Sequence, residues 1–230
     1  MTGAAPLSLA GEALLADPAG ALYWPARRLL ALADLHLEKG SALAARGLGP
    51  LPPYDTRATL ERIAPLLRRY QPAQVVALGD SFHDGEAGAR LGSGDRQRLK
   101  RLVAGQEWIW VAGNHDPAPP QELGGRVVAE LALGPLTFRH EALAGRAGGE
   151  ISGHFHPKAS VALRVGRVSA RCFVTDGRRL LLPAFGAYAG GLEVRDPAIE
   201  RLFPRGYRVL VTARGRIYAF SRRQLLGRAA

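Results

Sequence analysis

The chain has 230 residues, 47% of them hydrophobic, which is enough for a sizeable core and excludes a disordered polymer. It carries 31 basic and 20 acidic residues, a formal charge of +11 that fits an anionic partner such as nucleic acid. Lys stands only at positions 39, 100 and 158, so the excess is arginine, and an Ala-, Gly-, Leu- and Arg-rich codon usage would produce it as well.

The single cysteine, Cys172, excludes an internal disulfide and a cysteine zinc finger, and its apolar run predicts a small core residue. No basic segment followed by an apolar stretch opens the chain. The longest uncharged run, Leu180 to Leu192, is broken by Pro and Gly and falls short of the ~20 residues of a membrane span. The expectation is a cytoplasmic protein without membrane contact.

Leu7 to Ala16 and Ala21 to Pro25 flank Asp17-Pro18-Ala19-Gly20 and predict a β-hairpin. Arg28 to Ala33 predicts a buried strand ending in Asp34-Leu35-His36. Two residues apart on an extended backbone, Asp34 and His36 face one side and could grip one ion. Taken alone, a capping Asp and a satisfied core His are the plainer reading. Leu37 to Pro53, with its Gly and Pro, predicts a loop carrying Glu38 and Lys39. Asp55 as N-cap opens a helix to about Tyr70, with Leu60, Ile63, Leu66 and Leu67 at helical spacing and Pro72 beyond its end.

Val75 to Leu78 predicts a second short strand, ending in Gly79-Asp80 and followed by Ser81-Phe82-His83-Asp84-Gly85. Gly85 to Gly94 reads as loop, and Asp95 to Val103 as a helix with a basic face, ordinarily solvated surface, with contact to an anionic polymer as the alternative. Trp108 to Val111 predicts a buried strand that stops at the turn Gly113-Asn114-His115-Asp116. Loops after strand carboxyl ends are where open α/β sheets build sites. Asn offers a carbonyl oxygen to a hard metal, His an acid or base, and Asp can hold a His ring in one tautomer.

Strand and helix alternate up to this point, which predicts parallel strands with crossover helices. Short β segments follow: Arg126 to Leu133, Leu136 to Arg139 closed by His140, and Glu150 to Ser152 before Gly153-His154-Phe155-His156. Ser160 to Arg164, Arg171 to Thr175 and Arg179 to Leu182 come next, with Asp176-Gly177 as a hairpin turn. Gly186 to Gly191 predicts a turn, Pro197 to Phe203 a short helix, Tyr207 to Thr212 and Arg216 to Phe220 a last hairpin, and Arg222 to Leu226 a helical turn. No linker or repeat is visible, so residues 1–230 read as one α/β domain of two packed sheets.

The chain has six histidines, and most of them fall at predicted strand ends together with Asp34, Asp80 and Asn114. Each motif is weak alone. Together they place hard and borderline donors at one edge of a sheet, suited to manganese, iron or zinc. The set is too large for one closed structural zinc site and fits two ions, which can clamp the attacking and leaving oxygens of a phosphoryl displacement.

On Asp34-x-His36, Gly79-Asp80, Gly113-Asn114-His115-Asp116, His140 and Gly153-His154-x-His156, the chain resembles the metallophosphoesterase (calcineurin-like phosphoesterase) superfamily. The motifs cover residues 34 to 156. The resemblance implies a four-layer α/β/β/α sandwich of two mixed sheets. It implies that Asp34, His36 and His156 hold one divalent metal, that Asn114, His140 and His154 hold a second, and that Asp80 bridges them with a shared hydroxide as nucleophile. His115 resembles the catalytic histidine that protonates the leaving oxygen or stabilises phosphate charge, with Asp116 orienting it. The protein-phosphatase branch has Gly-Asp-x-x-Asp-Arg-Gly at the second motif; here the second Asp is one place later and no Arg follows, which speaks against a phosphoprotein substrate. His83 reads as a local structural histidine, with a group supporting the metal ligands from behind or a substrate contact as the alternatives.

Ala33 to Ser41, Leu51 to Thr56 and Leu182 to Tyr188 are similar to the bacterial ligase-associated DNA-damage-response endonucleases, the PdeM group, a likeness reaching about residue 196. It implies a manganese-dependent phosphodiesterase or endonuclease acting on DNA beside a DNA ligase, a helicase and an exonuclease. Lys39, Arg46, Lys158 and the Arg178-Arg179 pair are candidate phosphate contacts. Two other functions compete: hydrolysis of a small nucleotide diester or pyrophosphate, and a non-catalytic metal-binding scaffold. The complete ligand set argues against the scaffold.

Overall fold

The computed structural model describes residues 3–48, 52, 54–145, 148–163 and 166–226. Gly49 to Leu51 and Pro53 in the expected loop, and Arg164 at an expected strand end, lie outside the described residues.

The first sheet opens as an antiparallel meander of β1 (Ala5–Leu9), β2 (Glu12–Ala16) and β3 (Leu22–Trp24), which pairs with β4 (Leu29–Ala33). Parallel to β4 run β5 (Gln74–Leu78), β6 (Glu107–Val111) and β7 (Arg126–Val128), in sequence order across the sheet. The crossovers carry α1 (Lys39–Ala45), α2 (Asp55–Tyr70), α3 (Ala87–Arg90) and α4 (Ser93–Ala104). The second sheet is mixed and contains β8 (Glu130–Leu133), β9 (Leu136–Arg139), β10 (Glu150–Ser152), β11 (Pro157–Leu163), β12 (Gly166–Thr175), β13 (Arg179–Leu181) and β14 (Leu192–Glu193). Its order is β14-β11-β12-β13-β10-β9-β8. The hairpin of β15 (Arg208–Ala213) and β16 (Arg216–Ser221) branches from β12, after the short helix α5 (Pro197–Glu200).

Period-two alternation explains the layers. On β4, Leu29, Ala31 and Ala33 face the second sheet, while Leu30 and Leu32 face the helices. Val76 and Leu78 on β5, with Ile109 and Val111 on β6, join the inter-sheet core against Phe138, Ile151, Phe173 and Leu180. Val75, Ala77, Trp108 and Trp110 instead meet Leu60, Ile63, Leu66, Leu99 and Val103 of α2 and α4. The outer face of the second sheet, with Cys172, Val174 and Val209, is covered by Val194, Ile199, Leu202 and Phe203. The fourth layer is therefore α5 and its flanking loops rather than long helices. Among the described residues, no helix is long and apolar enough to cross a membrane.

Five expectations change for identifiable reasons. The run Leu7 to Ala16 is two strands, because Ala10 (φ 49°) and Gly11 (φ 86°) form a two-residue hairpin turn with Leu9 opposite Glu12. The run Arg126 to Leu133 is also two strands, β7 in one sheet and β8 in the other, so this segment carries the chain between sheets. The stretch expected as loop contains α1, which is started from a distance: Gly40 N–H donates to Asp55 (3.2 Å), and Glu38 accepts from Ser41 (2.7 Å) and Thr56 (2.7 Å). Asp55 is thus spent on α1 and is the first residue of α2, not its N-cap, which is Tyr54. The Gly85 to Gly94 loop likewise contains the single turn α3.

Candidate metal centre

The expected ligands come together beyond the carboxyl ends of β4, β5, β6, β9 and β10. The device that aims them differs from the extended segment expected at Asp34. Asp34 (φ 52°), His36 (φ 42°), Asp80 (φ 43°), His154 (φ 68°) and His156 (φ 46°) are all left-handed. This conformation costs a non-glycine residue about 1–2 kcal/mol, and such strain persists only where surrounding contacts hold it. Here His36 N–H donates to Asp80 O (2.9 Å), Leu37 N–H to Ser81 O (2.9 Å) and Gly186 N–H to Asp34 O (3.1 Å). The Asp34 carboxylate accepts the His154 N–H (3.0 Å), so it joins the two sheets.

Two glycines make room for this. A Cβ on Gly79 (φ 71°) would run into the His140 ring, and one on Gly113 would strike Asp80. Gly79→Ala is expected to displace His140 and lower metal affinity roughly 10–100-fold in equilibrium dialysis. Affinity and melting temperature both equal to the parent would contradict the cradle.

The donors fall into two groups. Asp34, His36 and His156 form one, Asp80, His140 and His154 the other, with ligand atoms in each group within 4.8 Å of one another. His36 Nε2 and His156 Nε2 stand 3.1 Å apart, and His156 Nε2 is 3.4 Å from Asp34 Oδ1. His140 Nε2 lies 3.0 Å from His154 Nδ1 and 2.8 Å from Asn114 Oδ1. Asp80 faces both groups, with Oδ2 3.9 Å from His36 Nε2 and Oδ1 3.4 Å from His140 Nε2.

Burial disfavours protonation of His36 and His154, and so do their neighbours. Burial first, then His156 and His115, push the His36 pKa down to about 2. Burial and His140 lower that of His154. Neutral imidazoles whose lone pairs converge beside carboxylates are what a divalent cation binds. The donor set therefore fits two hard or borderline cations.

The rim is open. Asn114 and His115 are exposed, while Asp34, His36, Asp80 and His140 are buried. His115 N–H donates to Asp80 Oδ1 (2.9 Å), and its Nε2 is 3.9 Å from Asp80 Oδ2. Its Nδ1 is 2.8 Å from the His83 carbonyl oxygen. Asp116 does not supply this orienting contact: its buried Oδ2 accepts Ser81 N–H (2.9 Å) and Phe82 N–H (3.1 Å). Burial raises the Asp116 carboxyl pKa to about 7. Asp116 thus fixes the loop that carries Asp80, and His83 holds the ring.

His83 is the residue that sequence reasoning undervalued. Its ring stacks on His115 (5.2 Å, 20°), and its Nδ1 stands 3.5 Å from His36 Nδ1. The scarcity of histidine was a usable signal for it.

Residues 27–179 match the model of the calcineurin-like phosphoesterase family, more than half of the chain. The chain belongs to the calcineurin-like phosphoesterase family. A solved structure, Pseudomonas putida nuclease MPE, is 30% identical to this phosphoesterase with a TM-score of 0.73, covering 94% of this chain and 100% of that one. The E. coli phosphoesterase Yfce is a distant likeness on which nothing rests: 17% identity, TM-score 0.43, 84% of this chain and 98% of its own. No curated protein sequence matches. The phosphoesterase is a metal-dependent hydrolase with a two-sheet α/β fold.

Of the expected phosphate contacts, Lys39 lies near enough to oppose protonation of both His36 and His83. Arg46 pairs with Asp84 (3.6 Å), and Lys158 is half-buried on β11. Arg179 is not a surface contact: it is 1% exposed and bound to Glu150 at 2.6 Å.

Proposed function

We propose that this phosphoesterase is a DNA nuclease that hydrolyses phosphodiester bonds with two divalent cations, manganese the foremost candidate. The observation that carries this reading is the 30% identity over 94% of the chain to a protein named as a nuclease. An open rim and a charge of +11 support a long anionic substrate over a small enclosed one. The likeness of the flanking segments to ligase-associated endonucleases extends the proposal to cytoplasmic DNA repair beside a ligase, a helicase and an exonuclease.

Asp34, His36 and His156 would hold one cation, and Asn114, His140 and His154 the other, with the Asp80 carboxylate facing both groups. When bound, the cations would supply Lewis acidity and lower the pKa of water at the site. The chain does the rest. The Asp80 carboxylate would offset repulsion between two cations. His115 Nε2 faces the site from the exposed side and donates a proton to the leaving oxygen. The His83 carbonyl accepts the Nδ1–H and steadies the imidazolium. Asp116 keeps the Asp80 loop in place.

The test compares metal-loaded protein on single-stranded DNA and on a chromogenic nitrophenyl diester. A nitrophenolate leaves without a proton, whereas a sugar alkoxide needs one. His115→Ala is expected to lose about 10²–10⁴-fold on DNA and far less on the nitrophenyl diester. Equal losses on both would remove the acid role. Diester turnover by the parent protein with DNA left intact would move the substrate to a small molecule.

A further inference from the structure

We infer that a groove between the Asp176-Gly177 turn and residues 204–208 binds the phosphate backbone of a nucleic acid, away from the metal centre. This rests on the nuclease reading. One cavity of about 520 Å³ is lined by Arg178, Arg205 and Arg208 beside Asp176. An adjoining cavity of about 270 Å³ shares Arg178 and Arg205 and adds Arg201. All four arginines are exposed, and none forms an ion pair among the described residues. Exposed arginines elsewhere are of both kinds, paired as in Arg57–Asp95, Arg96–Glu122, Arg126–Glu107 and Arg222–Glu200, and without an ion pair among the described residues as at Arg68, Arg101 and Arg223; the four here are set apart by lining two adjoining cavities together. The one acid in the groove, Asp176, already accepts Arg178 N–H (2.9 Å) and Arg179 N–H (2.8 Å) through Oδ1.

Four neighbouring cations with one shared anion repel each other and do nothing for the fold; a bound polyanion relieves them. The floor beneath them is rigid. Arg179 donates to Glu150, to Leu202 O (2.9 Å) and to Leu143 O, and Thr175 Oγ1 donates to Arg179 O (2.7 Å). The guanidinium fork matches phosphate oxygens. Tyr207, the aromatic residue in the lining, is buried and offers no stacking platform for a base. Recognition is therefore of backbone, without sequence preference.

The groove is not the place of cleavage. Arg179 pairs in register with Glu150 at the start of β10, and the ligands His154 and His156 follow the end of that strand, on the order of 10 Å of extended chain away. A phosphate seated here belongs to nucleotides flanking the scissile bond. The groove should set DNA affinity and leave the chemical step alone.

The experiment uses full-length protein with serine at Arg178, Arg201, Arg205 and Arg208 together, and a control with serine at the paired Arg57, Arg96, Arg126 and Arg222. Binding of fluorescent oligothymidylate is read by anisotropy in chelator across a salt series, and nitrophenyl diester turnover is read with manganese. The groove variant is expected to bind DNA at least ~10-fold more weakly, with the log Kd against log salt slope reduced by about 3, and with unchanged kcat and KM on the diester. The control should keep most of the parent slope. A groove variant with the parent slope, or a control that loses as much, overturns the groove and leaves the nuclease reading intact. A parent protein that turns over the diester yet neither binds nor cuts DNA overturns both.

Discussion

Asp80→Asn is expected to lose on the order of 10³-fold in diester turnover and to bind one manganese ion fewer than the parent at the same free concentration. The reason is geometric. Asp80 is 2% exposed, with one oxygen turned toward His36 and the other toward His140. Asn keeps the shape and one oxygen but replaces the other donor with an NH₂ group and removes the negative charge between two cations. At about 1.4 kcal/mol per decade, losing several kcal/mol of electrostatic stabilisation gives the quoted loss. The fold should survive, because the His115 N–H bond to Oδ1 (2.9 Å) can be kept by the amide oxygen. A variant with full metal content and activity within threefold of the parent would remove Asp80 from the bridge.

Arg179→Ala is expected to cost about 3–5 kcal/mol of stability, which for a chain of this size lowers Tm by roughly 6–20 °C. Arg179 is buried and holds Glu150 at 2.6 Å together with the carbonyls of Leu202 and Leu143. Its removal leaves a carboxylate that is itself 6% exposed, with the more distant Arg139 (3.7 Å) as its counter-charge among the described residues. Arg139 draws the expected cost toward the lower end. Arg179→Lys should recover part of the loss but not the carbonyl contacts, since an ammonium lacks the planar fork. Calorimetry of the three proteins checks this. An unshifted Tm with weakened DNA binding would instead return Arg179 to the surface role expected from its sequence.

The convergence of the candidate ligands was legible because chemistry and position coincide in them. Asp34, Asp80 and Asn114 each follow a short continuous apolar run and His140 follows the alternating Leu136-Thr137-Phe138-Arg139, and short runs of both kinds bounded by turn signals read as strands. The continuous apolar runs of β4, β5 and β6 made burial on both faces equally plain. What could not be read was set by contacts between distant residues. No local pattern says that Asp55 and Thr56 will start α1, or that the carbonyl of His83 will hold His115. Asp116 follows His115 directly, so tautomer control was the local inference; the strand-end turn sends its carboxylate to the neighbouring loop instead. Arg179 beside Arg178 reads as a basic surface pair, but Arg178 ends the exposed turn and Arg179 opens a strand buried along its whole length.

The most direct test of the two-cation centre is a metal count. Chelator-stripped protein would be dialysed to equilibrium against manganese, and bound metal and diester turnover measured on the same samples. The donor groups predict two ions per chain, with turnover appearing only as the second is filled and lost again on chelation. One ion at saturation, or turnover that persists in excess chelator, would contradict the account.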